Sequence, residues 1–482
     1  MTCDLLIIGG GINGCAIARE AALNHLSVLL VEKGDLASAT SSKSTKLIHG
    51  GLRYLEYYEF GLVREALVER ERLLTAAPHI VTPLTFVLPQ ENAVRPWWMV
   101  RAGLWLYDTL AGRSSLPRAR GLRAGDTAYS EPLKGGASGF VYADAWVDDA
   151  RLTVLNAMDA AAHGAEIAVG TELVSARREG DVWRAALSDG REVTARGIVN
   201  AAGPWVAETV GRLGVDAAAG VRLVKGSHIV VPRLYEGEHA YILQLADRRI
   251  VFAIPYHGDF TLIGTTDVPV ETPGDARISD AEIAYLCDAV NGHFVRQIAP
   301  RDVVSSYSGV RPLYDDGEAE AKAVTRDYVL ELDEAGPPLL SVFGGKITTA
   351  RHLAQEAVEK IAAPLGAEFQ PHTRARVLPG GMIPDLAHFI DQAREKWPFL
   401  GDRTDRMARA YGSLLVEMLE GVTDEAGMGK RFGGGLTALE LSWMRDREWA
   451  RCAEDALWRR SKLGLVLSEA EAAEIEAWWT KP

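Results

Sequence analysis

The chain has 482 residues, of which 48% are hydrophobic and 24% are charged. This length predicts about three domains, and the composition excludes a mainly disordered, collagen-like or coiled-coil protein. Fifty-two basic and 65 acidic residues give a net charge of −13, which argues against nucleic-acid binding and requires that any anionic substrate meet a local cluster of Arg and Lys.

The first 32 residues predict a β-α-β unit. Residues 4–8 form a short apolar run that suits a strand buried on both faces, and this run stops at three consecutive glycines. Residues 12–22 are rich in helix formers, and residues 27–32 read as a second buried strand. Two parallel strands joined by a helix are therefore expected at the amino terminus.

The glycines of this unit form a dinucleotide-binding fingerprint. Gly9, Gly11 and Gly14 give the pattern G-x-G-x-x-G at the strand-to-helix turn, and Glu32 follows 18 residues after Gly14. The absence of side chains lets the backbone approach a pyrophosphate, and the carboxylate can accept hydrogen bonds from ribose hydroxyls. Glu32 disfavours NADP, but the fingerprint alone does not separate FAD from NAD.

Residues 39–55 form a hydroxyl-rich loop that runs into glycines and the pair Arg53-Tyr54. This composition suits a surface on which backbone packs against a ring system and its phosphates, and it favours FAD. Residues 196–205 predict another buried strand of the same sheet, whereas the short alternating runs within 241–267 predict antiparallel strands. From residue 371 onward helical periodicity dominates.

These patterns predict an α/β plus α+β protein with three domains. The first is a Rossmann-like FAD-binding domain (1–75, 145–215 and 335–365), and the second is a substrate domain with a mostly antiparallel sheet (76–144 and 216–334). The third is a helical carboxy-terminal domain (371–482), in which Leu414, Leu415, Met418 and Leu419 share one helix face.

The cysteines and the apolar runs indicate the cellular compartment of the protein. The four cysteines form no C-x-x-C pair, so neither disulfides nor a metal site is predicted, and a reducing cytoplasm is expected. No signal peptide and no uninterrupted apolar run long enough to span a bilayer is found. Attachment to a membrane surface remains open.

Seven motifs make the chain resemble a known family. It closely resembles the respiratory FAD-dependent glycerol-3-phosphate dehydrogenases, within the D-amino-acid-oxidase-like flavoprotein superfamily. The motifs lie at residues 9–14, 46–55, 146–152, 225–232, 263–267, 307–313 and 341–346, with a further similarity at 455–460. The resemblance implies oxidation of sn-glycerol 3-phosphate to dihydroxyacetone phosphate by hydride transfer from C2 to N5 of FAD. It also implies that the electrons pass to quinone at the cytoplasmic, inner face of the cell membrane, where the protein would be peripherally attached.

The glycine fingerprint, the 39–55 loop and the family resemblance together predict the cofactor-binding residues. They are Gly9, Gly11, Asn13, Gly14, Glu32, Thr40, Ser41, Ser42, Lys46, Leu47, His49, Gly50, Gly51, Ala202, Gly203, Gly344, Gly345, Lys346, Ile347 and Thr348. The turn at 344–346 opens a helix predicted over 350–361, whose positive amino-terminal end would stabilise a reduced, anionic flavin ring.

A phosphomonoester dianion needs fixed cations, and Arg suits a bidentate grip. The substrate residues implied by the resemblance are Arg53, Tyr54, Thr266, Arg311, Arg326 and Lys346, and the catalytic ones are His49, Arg311 and Lys346. His49 is the expected base for the C2 hydroxyl because its ordinary pKa of ~6.5 suits proton transfer near neutrality. Lys346 and water are the alternative proton acceptors.

Two segments are candidates for membrane contact. Residues 96–107 are unusually aromatic, although burial inside the substrate domain is favoured for them, and residues 457–463 combine Trp with basic residues. A soluble oxidase that produces hydrogen peroxide and a catalytically silent flavin-binding protein are the alternative functions, and the set of basic residues weighs against the second. A homodimer is compatible with the resemblance.

Overall fold

The computed structural model describes residues 1–90, 95–136, 138–215, 220–315 and 327–480. In these ranges the strands are β1 Thr2–Ile8, β2 Val28–Glu32, β3 Leu47–Ile48, β4 Val81–Pro89, β5 Arg120–Gly121, β6 Gly139–Val147, β7 Glu166–Val169, β8 Leu173–Glu179, β9 Val182–Leu187, β10 Glu192–Asn200, β11 Gly220–Pro232, β12 Ala240–Gln244, β13 Ile250–Tyr256, β14 Phe260–Gly264, β15 Val268–Val270, β16 Ser305–Asp315, β17 Val329–Asp333 and β18 Leu339–Phe343.

The α-helices of the same ranges are α1 Ile12–Leu23, α2 Phe60–Ala76, α3 Trp97–Leu110, α4 Thr127–Ser130, α5 Asp149–Ala162, α6 Val206–Arg212, α7 Asp280–Asn291, α8 Ala350–Ala362, α9 Leu386–Lys396, α10 Thr404–Tyr411, α11 Leu414–Met418, α12 Ala438–Glu448 and α13 Glu469–Trp479. A π-helix covers Asp455–Arg460, and short 3₁₀ helices include Leu52–Tyr57 and Ile347–Thr349.

The first sheet has the strand order β17-β18-β10-β1-β2-β7, and the hairpin β8-β9 extends it from β10. Its central strands pair in parallel, and Leu5, Leu6 and Ile7 of β1 are completely buried. Helix α1 packs against both α5 and α8, and the three helices share one hydrophobic core with this sheet. The predicted β-α-β unit is confirmed because both strands and the helix between them lie where the apolar pattern places them.

The second sheet has the order β15-β11-β14-β13-β12-β4-β6-β3, with β16 paired to β11 and β5 to β6. All its strand pairs are antiparallel except β4 with β12. The predicted fold class, with one Rossmann-like sheet and one mostly antiparallel sheet, is therefore confirmed.

The sheets do not follow the predicted domain boundaries at two strands. β3 belongs to the predicted FAD-binding domain but pairs with β6 in the antiparallel sheet. β17 belongs to the predicted substrate domain but pairs with β18 in the first sheet. The partner of β3 is almost 100 residues away in the sequence, which the local pattern does not encode, whereas β17 forms a local hairpin with β18.

The described part of residues 371–482 contains helices and no named strand, as predicted. The predicted helix around Leu414 is only five residues long, α11, because a turn at Gly412 precedes it. Side chains of this region, among them Met407, Tyr411 and Met444, belong to the same hydrophobic core as β1 and α1. The carboxy-terminal helices therefore pack directly on the Rossmann-like domain.

Candidate active site

The glycine turn between β1 and α1 is shaped for close packing. Gly9 has a φ of +108°, and a Cβ on Gly14 would lie 1.9 Å from the carbonyl oxygen of Gly9. Helix α1 begins after Gly11 with no side-chain cap and no acidic residue in its first turn. The helix therefore has no capping side chain of its own, and the positive end of its dipole can attract an anion.

Glu32 and Ser41 tie this turn to the neighbouring segments. The Glu32 carboxylate accepts hydrogen bonds from the backbone N–H of Gly10 at 2.7 Å and of Gly34 at 2.8 Å. Burial raises the pKa of Glu32 above its ordinary value, and these two N–H donors oppose the rise. The Ser41 hydroxyl accepts from the N–H of Ile12 at 2.9 Å, so the hydroxyl-rich loop lies against the start of α1.

A cavity of about 180 Å³ opens in front of the glycine turn. Ten of the predicted cofactor-binding residues line it: Gly9, Gly11, Asn13, Glu32, Thr40, Ser41, Ala202, Gly203, Gly344 and Gly345. The amino terminus of α1, the Glu32 carboxylate and the glycines that line the cavity fit the pyrophosphate and ribose of FAD. The Oδ1 atom of Asn13, buried and without a hydrogen-bond partner, is a further free acceptor at this place.

The other predicted cofactor residues lie outside this cavity: Gly14, Ser42, Lys46, Leu47, His49, Gly50, Gly51, Lys346, Ile347 and Thr348. Among them Lys46 is buried, and its ammonium donates to Ser42 O at 2.6 Å and to Asp149 at 2.7 Å. Burial lowers the pKa of Lys46 to about 8, and Asp149 opposes this shift. A direct cofactor contact would break these bonds, so the geometry favours a role in fixing the 42–46 loop.

The turn at residues 344–349 approaches both the glycine turn and His49. The Nδ2 atom of Asn13 donates to the carbonyl oxygen of Gly344 at 3.1 Å, and Gly344 and Gly345 have φ of +75° and +100°. The hydroxyl of Thr348 accepts from the N–H of His49 at 3.4 Å. One 3₁₀ turn, Ile347–Thr349, precedes helix α8, which begins at the predicted residue, Ala350.

His49 is held as a neutral imidazole. Burial, followed by the cations Lys346 and Arg70, lowers the pKa of His49 to about 4, well below its ordinary value. Its ring lies edge-on to Phe252, with the ring centroids 6.4 Å apart. A neutral ring can accept a proton at neutral pH. In the structure the ring is neutral because its pKa is lowered, whereas the prediction from sequence rested on the ordinary pKa of His.

Two cationic side chains of the predicted substrate site, Arg53 and Lys346, have buried nitrogens without a hydrogen-bond partner. Arg53 and Tyr54 lie in the 3₁₀ helix Leu52–Tyr57, and the buried Nε atom of Arg53 has no hydrogen-bond partner. The Nζ atom of Lys346 is also buried without a hydrogen-bond partner, 4.2 Å from the ring centroid of Tyr54. Buried cationic donors left open in this way are arranged for an anionic ligand.

Arg311 of β16 lies next to Thr266, which belongs to the connection between β14 and β15. Arg311 forms an ion pair with Asp267 at 2.8 Å and donates to the carbonyl oxygen of Thr266 at 3.3 Å. The buried Thr266 hydroxyl donates to Glu282 at 2.8 Å and accepts from the N–H of Ser227 at 3.0 Å. This hydroxyl is thus engaged within the protein, and the geometry favours a supporting role. Arg326 lies outside the described residues.

A buried network that the sequence interpretation missed holds the backbone beside His49. The hydroxyl of Tyr107 accepts from the N–H of Gly50 at 2.7 Å and donates to Asp144 at 2.8 Å, and Arg70 pairs with Asp144 at 2.6 Å. Burial raises the pKa of Asp144 to about 6, although Arg70 opposes this shift. The sequence holds one indication of this network, which is the acidic residue Asp144 within the largely apolar strand β6.

The aromatic segment 96–107 forms the first part of helix α3, and the burial favoured for it is wrong on one face. Val100, Leu104 and Tyr107 are buried, but Trp97, Trp98, Met99 and Trp105 are exposed. The helix therefore packs one apolar face into the core and exposes a second apolar face to solvent. In segment 457–463, by contrast, the basic side chains Arg459, Arg460 and Lys462 are buried.

Comparisons with known proteins place this geometry among flavoproteins. The family described as FAD dependent oxidoreductase matches residues 4–351. The chain is 52% identical to glycerol-3-phosphate dehydrogenase of Pseudomonas aeruginosa over 98% of this chain and 94% of that protein. It is 48% identical to D-erythritol 1-phosphate dehydrogenase of Brucella abortus over 99% and 98%. A crystal structure of glycerol-3-phosphate dehydrogenase from Bacillus halodurans with FAD superposes with a TM-score of 0.74 at 27% identity, covering 99% of this chain and 94% of that one.

Proposed function

The chain belongs to the FAD-dependent oxidoreductase family, and from that premise we propose that it oxidises sn-glycerol 3-phosphate to dihydroxyacetone phosphate. The observation that carries the substrate proposal is the neutral imidazole of His49, whose pKa is lowered by burial and by the nearby Lys346 charge, together with the buried nitrogens of Lys346 and Arg53 that have no hydrogen-bond partner. Similarity to glycerol-3-phosphate dehydrogenases along almost the whole chain supports it.

FAD supplies the two-electron acceptor that takes the hydride from C2 of the alcohol. The glycine turn, Glu32 and the 39–41 loop would hold its adenosine diphosphate half, and the 344–348 turn and the 46–51 segment would enclose the flavin. A binding site prearranged in this way would hold the substrate carbon near the flavin with little reorganisation of the protein.

Arg53, Arg311, Arg326 and Lys346 would hold the phosphate of the substrate, and His49 would accept the proton of the C2 hydroxyl. The cations would thus bind the phosphate of the substrate, and the neutral base would bind its C2 hydroxyl. The arrangement suits a secondary alcohol next to a phosphorylated carbon, a chemistry that D-erythritol 1-phosphate shares.

The electrons would then pass to a quinone at the inner face of the cell membrane. In the described part of the chain no helix is long and apolar enough to cross a membrane, so the proposed contact is peripheral. We assign it to an aromatic patch made of Trp97, Trp98, Met99 and Trp105 of α3 and of Tyr57, Tyr58 and Phe60, which are all exposed.

Position and charge support this assignment. Trp98, Arg101 and Trp105 recur at helical spacing, so a basic side chain lies among apolar ones on the exposed face, as at a membrane interface. Helix α3 contacts the 3₁₀ helix that carries Arg53 and Tyr54. An acceptor dissolved in the bilayer would therefore approach the enzyme near the substrate site.

Anaerobic mixing of the purified flavoprotein with sn-glycerol 3-phosphate, D-erythritol 1-phosphate or unphosphorylated glycerol tests the substrate proposal. Flavin absorbance should bleach fastest with sn-glycerol 3-phosphate and not with glycerol at the same concentration. Faster bleaching by D-erythritol 1-phosphate would transfer the proposal to that substrate. Comparison of quinone-analogue reduction with peroxide formation then separates a dehydrogenase from an oxidase.

A further inference from the structure

The ammonium group of Lys346 lies over the aromatic ring of Tyr54. Its Nζ atom is 4.2 Å from the centroid of that ring. The two residues come from separate segments, since Tyr54 belongs to the 3₁₀ helix Leu52–Tyr57 and Lys346 directly precedes the 3₁₀ turn Ile347–Thr349. A cation at this distance is attracted by the electron-rich face of the ring. The contact is therefore a cation–π interaction.

This environment differs from that of other buried lysines in the chain. The ammonium of Lys46 pairs with Asp149 at 2.7 Å, and that of Lys225 pairs with Glu282 at 2.9 Å. The Nζ atom of Lys346 is also buried, but within the described residues it has no hydrogen-bond partner. The ring of Tyr54 thus takes the place that a carboxylate occupies at the other two lysines.

The difference matters for an anionic ligand. A carboxylate partner would neutralise the ammonium group and occupy its N–H donors, and a phosphate would have to displace it. An aromatic ring attracts the ammonium group without carrying a net charge of its own. A phosphate that approaches Lys346 therefore meets an uncompensated positive charge and N–H groups that are not engaged in hydrogen bonds.

The ring of Tyr54 is itself fixed by packing. A Cβ on Gly51 would lie 2.3 Å from Cδ2 and 2.4 Å from Cε2 of Tyr54, so the ring lies directly against the backbone of Gly51. The N–H of Tyr54 also donates to the carbonyl oxygen of Gly51 at 2.8 Å. On top of this, the ring packs against the hydrophobic core of the antiparallel sheet. A ring held in this way defines where the ammonium group can lie.

We propose that Tyr54 is a positioning residue, whose ring face holds the Lys346 ammonium group charged and unpaired where the phosphate of the substrate binds. Tyr54 then acts through Lys346 and by means of its ring, whereas the family resemblance implied a direct contact with the substrate. The inference rests on the proposed function, in which Lys346 binds the phosphate, and deepens it.

Isosteric ring variants of the holoenzyme test the proposal. Tyr54 is replaced by phenylalanine and by mono-, di- and trifluorinated phenylalanine, because fluorine withdraws electron density from the ring face with little change in ring size. Tyr54→Phe should keep kcat/KM for sn-glycerol 3-phosphate within about threefold of the wild type, and the trifluorinated ring should lower it by about tenfold to thirtyfold. The Kd of inorganic phosphate, measured through the flavin absorbance of the oxidised enzyme, should rise in the same order.

Two controls separate this role from a merely structural one. Melting temperatures should be equal along the series, and the same fluorinated residues at Tyr285, whose ring centroid lies 4.0 Å from the guanidinium of Arg249, should not change kcat/KM. Combined with Lys346→Met, the Tyr54→Phe and trifluorinated variants should have equal kcat/KM and equal phosphate affinity, because the cation is absent.

Three results would overturn the positioning role of Tyr54. The first is an active series with equal kcat/KM and equal phosphate affinity throughout, and the second is a fluorine trend that persists with Lys346→Met. The third is a large loss with Tyr54→Phe that fluorination does not deepen, which would assign the effect to the hydroxyl. A wild type that no polyol phosphate reduces overturns the proposed function instead, and the phosphate affinities of the series then still test the role of Tyr54.

Discussion

Arg460 and Asp35 form a buried two-point ion pair across a separation of 425 residues. Nη1 of Arg460 lies 2.8 Å from Oδ2 of Asp35, and Nη2 lies 2.7 Å from Oδ1. Asp35 stands between Glu32 and the 37–41 segment, both of which line the cofactor cavity. The carboxy-terminal domain, remote in sequence from the glycine fingerprint, therefore fixes one wall of the cofactor site.

Replacing Arg460 by Leu should weaken both the fold and the retention of FAD. Removing one partner of a buried ion pair costs about 3 kcal/mol or more when the remaining charge is left unpaired. Because Arg459 also pairs with Asp35, we expect a smaller loss of stability here. Thermal unfolding with and without added FAD, and flavin content after dialysis, measure the effect. Arg445→Leu is the matched control, since Arg445 pairs with Asp446 at the surface. Equal flavin retention by the two variants would show that the carboxy-terminal domain does not support the cofactor site.

Gly14→Ala should abolish FAD binding or the fold itself. The added Cβ would lie 1.9 Å from the Gly9 carbonyl oxygen, a distance that no small adjustment relieves, so β1 and α1 must separate. Gly103→Ala in helix α3 meets no atom within 4 Å and should stabilise the protein by up to about 1 kcal/mol. Flavin absorbance and melting temperature distinguish the pair. A yellow, normally stable Gly14→Ala protein would contradict the described packing.

Arg311→Ala should lower kcat/KM for sn-glycerol 3-phosphate and leave the flavin content intact. A charge-assisted contact to phosphate contributes about 1.5–3 kcal/mol, which corresponds to a loss of roughly tenfold to more than a hundredfold. Arg249→Ala removes an equally exposed arginine that pairs with Asp247 and should leave steady-state kinetics unchanged. If the two variants have the same kcat/KM, Arg311 does not bind the phosphate.

His49→Asn should reduce kcat by about 10² to 10⁴ while KM changes little. The lowered pKa of about 4 means that the imidazole is the free base above pH 4, and that the base is lost only as pH falls through that value. His49 should therefore produce no limb in the profile of kcat between pH 5 and 8. A wild-type limb near pH 6.5 that His49→Asn removes would contradict this environment for the ring.

Trp98→Ser combined with Trp105→Ser should reduce membrane binding without affecting the flavin. We expect part of the wild-type protein to sediment with anionic vesicles at low ionic strength, and to be released by salt because salt screens the attraction of Arg101 to lipid. Quinone-analogue reduction should rise when vesicles are added. Val174→Ser, at another exposed apolar position, is the control. Fast peroxide formation with no sedimentation of the wild type would favour the oxidase.

The sequence by itself determined the elements whose signals are local. The spacing of Gly9, Gly11 and Gly14 is dictated by the geometry of one strand, one turn and one helix, so the β-α-β unit and its nucleotide chemistry could be read without knowledge of any distant residue. Helix α8 was predicted over 350–361 and is observed as Ala350–Ala362 for the same reason. The motifs also identified the flavoprotein family.

The tertiary structure alone decided the electrostatic state of the site. The pKa of His49 depends on burial and on Lys346 and Arg70, and Lys46 is engaged by Asp149, 103 residues away. Distant segments are likewise joined by the approach of Glu65 to His352, by the pairing of Asp35 with Arg460 and by the pairing of β3 with β6. Desolvation and ion pairing depend on which groups the folded chain brings within a few ångströms, and a one-dimensional pattern of residue types does not contain those distances.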